Sequence, residues 1–224
     1  MNAQDLKNNY QQLSLSIAEA VSDAGRELSE IKMIAVSKTQ TYAQLATLAQ
    51  LGQKDFGENK VQEALTKLPA LRDEYPDIKC HMIGHLQSNK AKDAVALFDV
   101  IHTLDSLKLA EAIANECSKQ NKKISCFIQV NTGDEPQKGG VSPLEAAGLI
   151  KAIHDDYRLP IIGLMCIPPL SEPAAFHFAL LSDMARDLNL PHLSMGMSHD
   201  YKDAILFGAT YIRIGTALFG ERPQ

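Results

Sequence analysis

Short apolar runs recur along the chain and alternate with longer stretches in which apolar residues return every three or four positions. The short runs lie at 33–36, 54–59, 80–85, 100–104, 124–130, 161–167, 193–195 and 211–214. Runs of this length are too short for helices and read as strands, and those without polar alternation as strands buried on both faces, as in parallel sheets. Ahead of the first, Leu6, Tyr10, Leu13, Ile17, Val21 and Ala24 mark an amphipathic helix that ends near Gly25 and should dock outside whatever follows. Helical periodicity also follows the strands, at 45–51, at 60–68 with Val61, Leu65 and Leu68 on one face, at 91–98, up to Cys117, and at 201–207. Start signals accompany it. Thr39-Gln40-Thr41 supplies a turn and a helix N-cap, Asp105 and Ser106 can cap the helix that runs through Cys117, and Ser142, Pro143 and Glu145 have the spacing of a capping box.

Eight strand candidates, each except the last followed by helical periodicity, predict an α/β fold, a single (β/α)8 TIM barrel spanning 1–224 with residues 1–25 as an extra helix outside it. A doubly wound sheet is the other arrangement of such units, but no strand opens into GxGxxG. In a barrel the carboxyl ends of the strands converge on one rim. That rim should carry Lys38, Asn59, His85, Asn131, Ser198, Arg213 and Gly215.

Composition narrows the function. With 45% hydrophobic and 22% charged residues, nothing resembles a disordered tail, and no stretch has linker composition. A formal net charge of −5 argues against nucleic acid or an anionic membrane as the main partner, so an anionic ligand needs a local cationic pocket. No apolar run approaches the ~20 residues of a membrane span, and Asp5 and Lys7 interrupt the place where a signal peptide could begin. A cytoplasmic location is expected. Cys80, Cys117, Cys126 and Cys166 form no CxxC pair and no zinc-like spacing, which predicts buried, reduced thiols.

Two neighbourhoods carry chemistry. The run 33–36 stops abruptly at Ser37-Lys38, placing a lysine at the carboxyl end of the first strand. A lysine there also serves as a solvated cation, so the position alone decides nothing. Ser194-Met195-Gly196-Met197-Ser198 and Arg213-Ile214-Gly215-Thr216 close the seventh and eighth strands, with Ser198 as a candidate N-cap for the helix at 201–207. Loops in those places form the usual phosphate site of such barrels, because glycines let backbone N–H groups approach an oxyanion; Gly196 and Gly215 also suit plain tight turns. A lysine opposite a phosphate site, with Arg213 nearby to lower its pKa, suits a Schiff base with a phosphorylated carbonyl compound. Pyridoxal 5′-phosphate meets those demands.

The segments MIAVSKTQ, FGENKVQE, HMIGHLQSNK, IQVN followed by KGG, GLMCIPP, LSMGMSHDYKDAI and IRIGTALFG closely resemble the pyridoxal-phosphate homeostasis proteins, also called the YggS/PROSC family. The resemblance implies a fold-type III barrel like the N-terminal domain of alanine racemase. It implies Lys38 as the Schiff-base lysine, Asn59 near the ring, Arg213 toward the pyridine nitrogen, and Ser198, Gly215 and Thr216 on the phosphate. One departure is visible: Cys80 stands where the family commonly has tryptophan. The position begins a strand away from the rim, so it bears on packing.

The resemblance leaves catalysis open. Alanine racemases add a second domain and use a tyrosine from the partner subunit as acid/base, whereas this chain stops just after the eighth strand. Tyr10, Tyr42, Tyr75, Tyr157, Tyr201 and Tyr211 offer no obvious substitute. The expectation is a monomeric carrier that holds pyridoxal phosphate and delivers it to apo-enzymes, the alternatives being a weak amino-acid racemase or a cofactor-free Schiff-base aldolase. His81 and His85 form HxxxH, but on a strand they stand ~13 Å apart, too far for one metal ion. Lys138-Gly139-Gly140 reads as a solvated turn more than an anion-binding loop, and Lys90 and Lys92 as a solvated helix face.

Overall fold

Each of the short runs becomes a strand, and all eight pair in parallel in chain order with the last returning to the first. The computed structural model describes residues 1–221. The strands are β1 Lys32–Val36, β2 Asp55–Glu58, β3 Lys79–Met82, β4 Val100–Leu104, β5 Ser125–Gln129, β6 Ile161–Met165, β7 His192–Met197 and β8 Tyr211–Ile214. The closed ring leaves no exposed sheet edge.

Alternation along the strands sorts side chains into two layers. Ala35, Phe56, Cys80, Met82, Ile101, Cys126, Ile128, Leu164, Leu193 and Ile212 point outward and join the helices in the main core. Ile34, Ile83, Val100, Phe127, Met165 and Tyr211 point inward and fill the barrel. Cys80 is fully buried on the outward side, so its effect is on packing, as expected.

The surrounding helices are α1 Ala3–Asp23, α2 Tyr42–Gln50, α3 Val61–Leu65, α4 Leu68–Glu74, α5 Ala91–Leu97, α6 Leu107–Gln120, α7 Ala146–Ala152, α8 Ala174–Asp187, α9 Tyr201–Leu206 and α10 Thr216–Phe219. Helix α1 buries Leu6, Leu13, Ile17 and Val21 against α2, α9 and α10, outside the barrel. Among the described residues, no helix is long and apolar enough to cross a membrane.

Three local expectations change. The periodicity at 60–68 belongs to two helices, because Pro69 sits in the first turn of α4, where its missing N–H costs nothing. Ala64 then takes the buried face and Leu65 is exposed. Ser142 bonds the Glu145 carboxylate side chain to side chain at 2.6 Å, and α7 starts only after Glu145, so the spacing of a capping box makes a turn instead. The N-cap of α9 is Asp200, whose Oδ1 accepts from the Met197 amide at 2.6 Å, and Ser198 is free for another task.

Candidate functional site

Alternation along β1 carries Ile34 and Val36 inward and Ser37 outward, so Lys38, in the turn just past the strand, falls on the inward side at the carboxyl end. Lys38 is half-buried. The next residue, Thr39, has φ 66°, a left-handed conformation that a β-branched residue adopts only when its surroundings compel it.

Those surroundings are a polar cluster behind β1 and β2. Lys67 Nζ donates to the carbonyls of Ser37 at 2.7 Å and Gln40 at 3.3 Å, bracketing the turn. The same ammonium pairs with Glu58 at 2.8 Å and Glu63 at 2.9 Å, and Glu63 accepts from the Thr39 amide. Glu58 is wholly buried, and its Oε1 accepts from Ser37 Oγ at 2.6 Å. Burial pushes the Glu58 carboxyl above its ordinary pKa even though Lys67 and Ser37 pull it down. For Glu63, burial works against ionisation, but Lys67 and the Thr39 amide hold its carboxyl below the usual range. Sequence reasoning missed this cluster. Its visible trace is Glu63–Lys67 at i,i+4 together with the glutamate that ends the second strand.

Strand β8 is the neighbour of β1, with Ile34 opposite Arg213 and Ala35 opposite Ile214. Lys38 therefore lies beside the β7–β8 site, not across the mouth from it. Arg213 points inward and is 4% exposed, below the rim instead of on it. Its Nη1 donates to Ser194 Oγ at 2.7 Å and its Nη2 to the Cys166 carbonyl at 2.9 Å. Burial draws the guanidinium below its usual pKa, opposed by Cys166 and Asp200, and an arginine nonetheless stays a cation at neutral pH.

Above Arg213 the chain turns at Gly215 into the single turn of α10. Ser198 Oγ, in the turn after β7, accepts from the amides of Gly215 and Ala217, both at 3.2 Å. Both lone pairs of that oxygen are thereby used, and its remaining capacity is its O–H, a donor. Gly196, with φ 88°, sits at the register shift where β7 bends toward this point. Thr216 opens α10 and is exposed.

Across the mouth, Asn59, His85 and Asn131 line one cavity of about 520 Å³ together with Gln129 and Lys138. Gly84 packs against Asn59 so closely that a Cβ there would lie 2.3 Å from the Asn59 carbonyl oxygen. Lys138 lies in a turn and is partly exposed, but it is held there: it pairs with Glu135 at 2.5 Å and donates to the Pro168 carbonyl at 3.3 Å. His81 points into the barrel while His85 sits at the mouth, and no cluster of metal-binding side chains exists among the described residues. All four cysteines are unpaired in the described structure, and burial pushes the thiols of Cys80 and Cys166 up to about 11 and about 12.

The sequence profile of the alanine racemase N-terminal domain matches residues 3–223. A protein of Pseudomonas aeruginosa named pyridoxal phosphate homeostasis protein is 39% identical over 222 residues, covering 97% of this chain and 96% of its own. The solved structure of PipY from Synechococcus elongatus with PLP bound is 34% identical, with a TM-score of 0.78 over 91% of this chain and all of that one. An alanine racemase of Clostridium difficile, 16% identical with a TM-score of 0.70, shares the fold over 93% of this chain and 56% of its own.

Proposed function

The chain belongs to the family of pyridoxal phosphate homeostasis proteins, built on the alanine racemase N-terminal domain, and we propose from that membership and the chemistry of the mouth that it holds pyridoxal 5′-phosphate there and passes it to apo-enzymes. The observation that carries the reading is the convergence at adjacent strand ends of an amine, a buried guanidinium and a hydroxyl that gathers two backbone amides. These match the aldehyde, the ring nitrogen and the phosphate of one molecule.

When bound, the cofactor supplies an aldehyde that condenses with a primary amine with loss of water, and Lys38 supplies that amine. Arg213 has N–H groups left after serving Ser194 and Cys166, and would offer one to the ring nitrogen. As a cation without a lone pair it holds that position but accepts no proton from the ring, which keeps the ring a weaker electron sink than a carboxylate partner would. The Ser198 O–H and the backbone of Thr216 would take the phosphate, with Gly215 giving its own amide to Ser198 Oγ and leaving room beside it, and Asn59 would flank the ring.

Carriage is favoured over racemisation by where five of the six tyrosines lie. Tyr201 donates to Ser16 beneath α1, Tyr211 accepts from Lys32 at the amino end of the barrel, and Tyr42 is held by Glu74 outside it. Tyr10 and Tyr75 line cavities on that same outer and amino-terminal side.

Purified protein loaded with the cofactor should absorb in the visible, and borohydride should fix the cofactor on the peptide containing Lys38. Mixed with an apo-enzyme in the presence of a trap that destroys free cofactor, it should still activate that enzyme. Loss of all activation with the trap would reduce the protein to a leaking reservoir. Saturable racemisation of an L-amino acid, abolished by Lys38→Ala, would overturn the carrier reading.

A further inference from the structure

The barrel interior carries a second polar system that cofactor holding does not call upon. Asp55 Oδ1 and His81 Nε2 lie 2.9 Å apart, His81 Nδ1 and His102 Nε2 3.0 Å, and His102 Nδ1 and Ser194 Oγ 2.8 Å; Arg213 then donates to the same Ser194 oxygen. The series starts on β2 and crosses the lumen through β3 and β4 to β7 and β8. His81, His102 and Ser194 are at most 1% exposed, whereas Asp55 reaches the cavity under α1 at the amino end of the barrel. Apolar walls enclose the middle: Phe127 stacks on His102 at 4.5 Å and Tyr211 meets both histidines edge-on.

With an ionised carboxylate at Asp55 and both imidazoles neutral, the hydrogens in this series have one consistent order. A guanidinium has no lone pair, so at one end Arg213 only donates and Ser194 accepts. An ionised carboxylate only accepts, so at the other end His81 carries its hydrogen on Nε2. A neutral imidazole has a single N–H, which leaves His81 Nδ1 as an acceptor, requires the hydrogen of His102 on Nε2, and leaves His102 Nδ1 to accept the Ser194 hydroxyl. Every link then holds one hydrogen. The reverse order would set the bare Nε2 of His81 against the Asp55 carboxylate, lone pair against lone pair. Burial above all, with the nearby Arg213 cation, holds His102 well below its usual pKa, in the neutral form this order needs.

We propose that Asp55, His81, His102 and Ser194 are positioning residues for Arg213: a one-directional hydrogen-bond relay that fixes the guanidinium below the mouth and ties it to a carboxylate at the amino end of the barrel. Among the described residues no carboxylate pairs directly with Arg213 within 4.0 Å, and links that polarise one another strengthen the acceptor it meets. The consequence for the cofactor rests on the assignment of Arg213 to the ring nitrogen; the relay itself does not.

Imidazole nitrogen NMR of the protein without added cofactor should find His81 and His102 both as Nε2–H tautomers, with the Arg213 side-chain hydrogens protected from exchange. In Asp55→Asn the amide can present its own N–H to His81, so the order is no longer enforced. Nδ1–H forms should then appear, and Arg213 should exchange roughly fivefold to tenfold faster, as expected for the loss of about one hydrogen bond. Asp55→Glu should restore the tautomers. His102→Phe, which keeps the stack on Phe127, should speed the exchange equally while the protein stays folded. A His102 Nδ1–H tautomer in the unaltered protein, or unchanged tautomers and exchange in Asp55→Asn, would overturn the relay. With pyridoxal 5′-phosphate added, the visible band of Asp55→Asn should shift; a band that forms but does not shift removes the coupling to the cofactor. Absence of any band in the unaltered protein would instead refute the cofactor reading and leave the relay to stand or fall on the tautomers.

Discussion

Replacing Lys67 with methionine removes the cation that Glu58 depends on, while keeping an unbranched side chain of similar length. Glu58 is fully buried, and its Oε2 has no hydrogen-bond partner even with Lys67 in place. Breaking a buried pair from one side leaves an uncompensated charge, a loss of ~3 to 5 kcal/mol. The two carbonyls released at Ser37 and Gln40 belong to the same cluster and are not added separately. The pH dependence follows from the direction of the Glu58 shift. A carboxyl whose folded pKa is raised costs stability as pH climbs from its unfolded value through its folded one, and removing Lys67 raises the folded value further. The deficit of Lys67→Met should therefore be largest near pH 8 and smaller near pH 5, where Glu58 takes up a proton. Urea denaturation at both pH values measures it, and Glu58→Gln added to Lys67→Met should recover much of the loss near pH 8. An equal deficit at both pH values with no recovery would refute a buried charge as the cause. Because Lys67 also brackets the turn at Thr39, the single variant should bind cofactor at Lys38 more weakly even where it remains folded.

Ser198→Ala removes the oxygen that gathers the Gly215 and Ala217 amides and the O–H assigned to the phosphate. Losing a charge-assisted hydrogen bond costs ~1.5 to 3 kcal/mol, so the dissociation constant should rise about tenfold to a hundredfold, with pyridoxal affected far less than its phosphate in a titration of both. Gly84→Ala forces a Cβ onto the Asn59 backbone and should destabilise by ~1 to 3 kcal/mol in thermal denaturation; an unchanged melting temperature would show that the Asn59 loop yields freely. Iodoacetamide near pH 8 should label Cys117 slowly and leave Cys80, Cys126 and Cys166 untouched in the native protein, since burial raises all four thiols and only Cys117 is half-exposed. Early labelling of Cys126 would show that the helical layer opens.

The barrel was legible because most doubly buried strands announce themselves as apolar runs, β2 with its Asp55, Gly57 and Glu58 being the exception, and no run failed to become a strand. The same property hid the interior network. In a strand apolar on both faces, nothing in the pattern says which residues point inward, so His81 and His102 could not be paired, although the HxxxH spacing drew attention to His81. Ser198 was misassigned for a related reason: a serine ahead of a helix looks the same whether it caps that helix or, as here, gathers the amides of a neighbouring turn. Lys67 was invisible for want of any local cue to its bonds at Ser37 and Gln40, which come from a different βα unit.

The two missed networks act on the two ends of one site from opposite sides of the same wall. Lys67, Glu58 and Glu63 press on the turn carrying Lys38 from outside the barrel, while Asp55, His81, His102 and Ser194 hold Arg213 from within. Strands β1 and β8 are directly paired, so fixing each from a separate network sets the amine and the guanidinium relative to one another without help from the loops. The cavity at the mouth is lined largely by the ends of β2 to β6 and the loops that follow them, of which the end of β2 is tied to the outer network through Glu58. On the proposed function, an amine that displaces Lys38, or an apo-enzyme that accepts the cofactor, would approach from the Asn59, Asn131 and Lys138 side. Substitutions that crowd that side should slow transfer while leaving the spectrum of the loaded protein unchanged, whereas substitutions in either network should change the spectrum first.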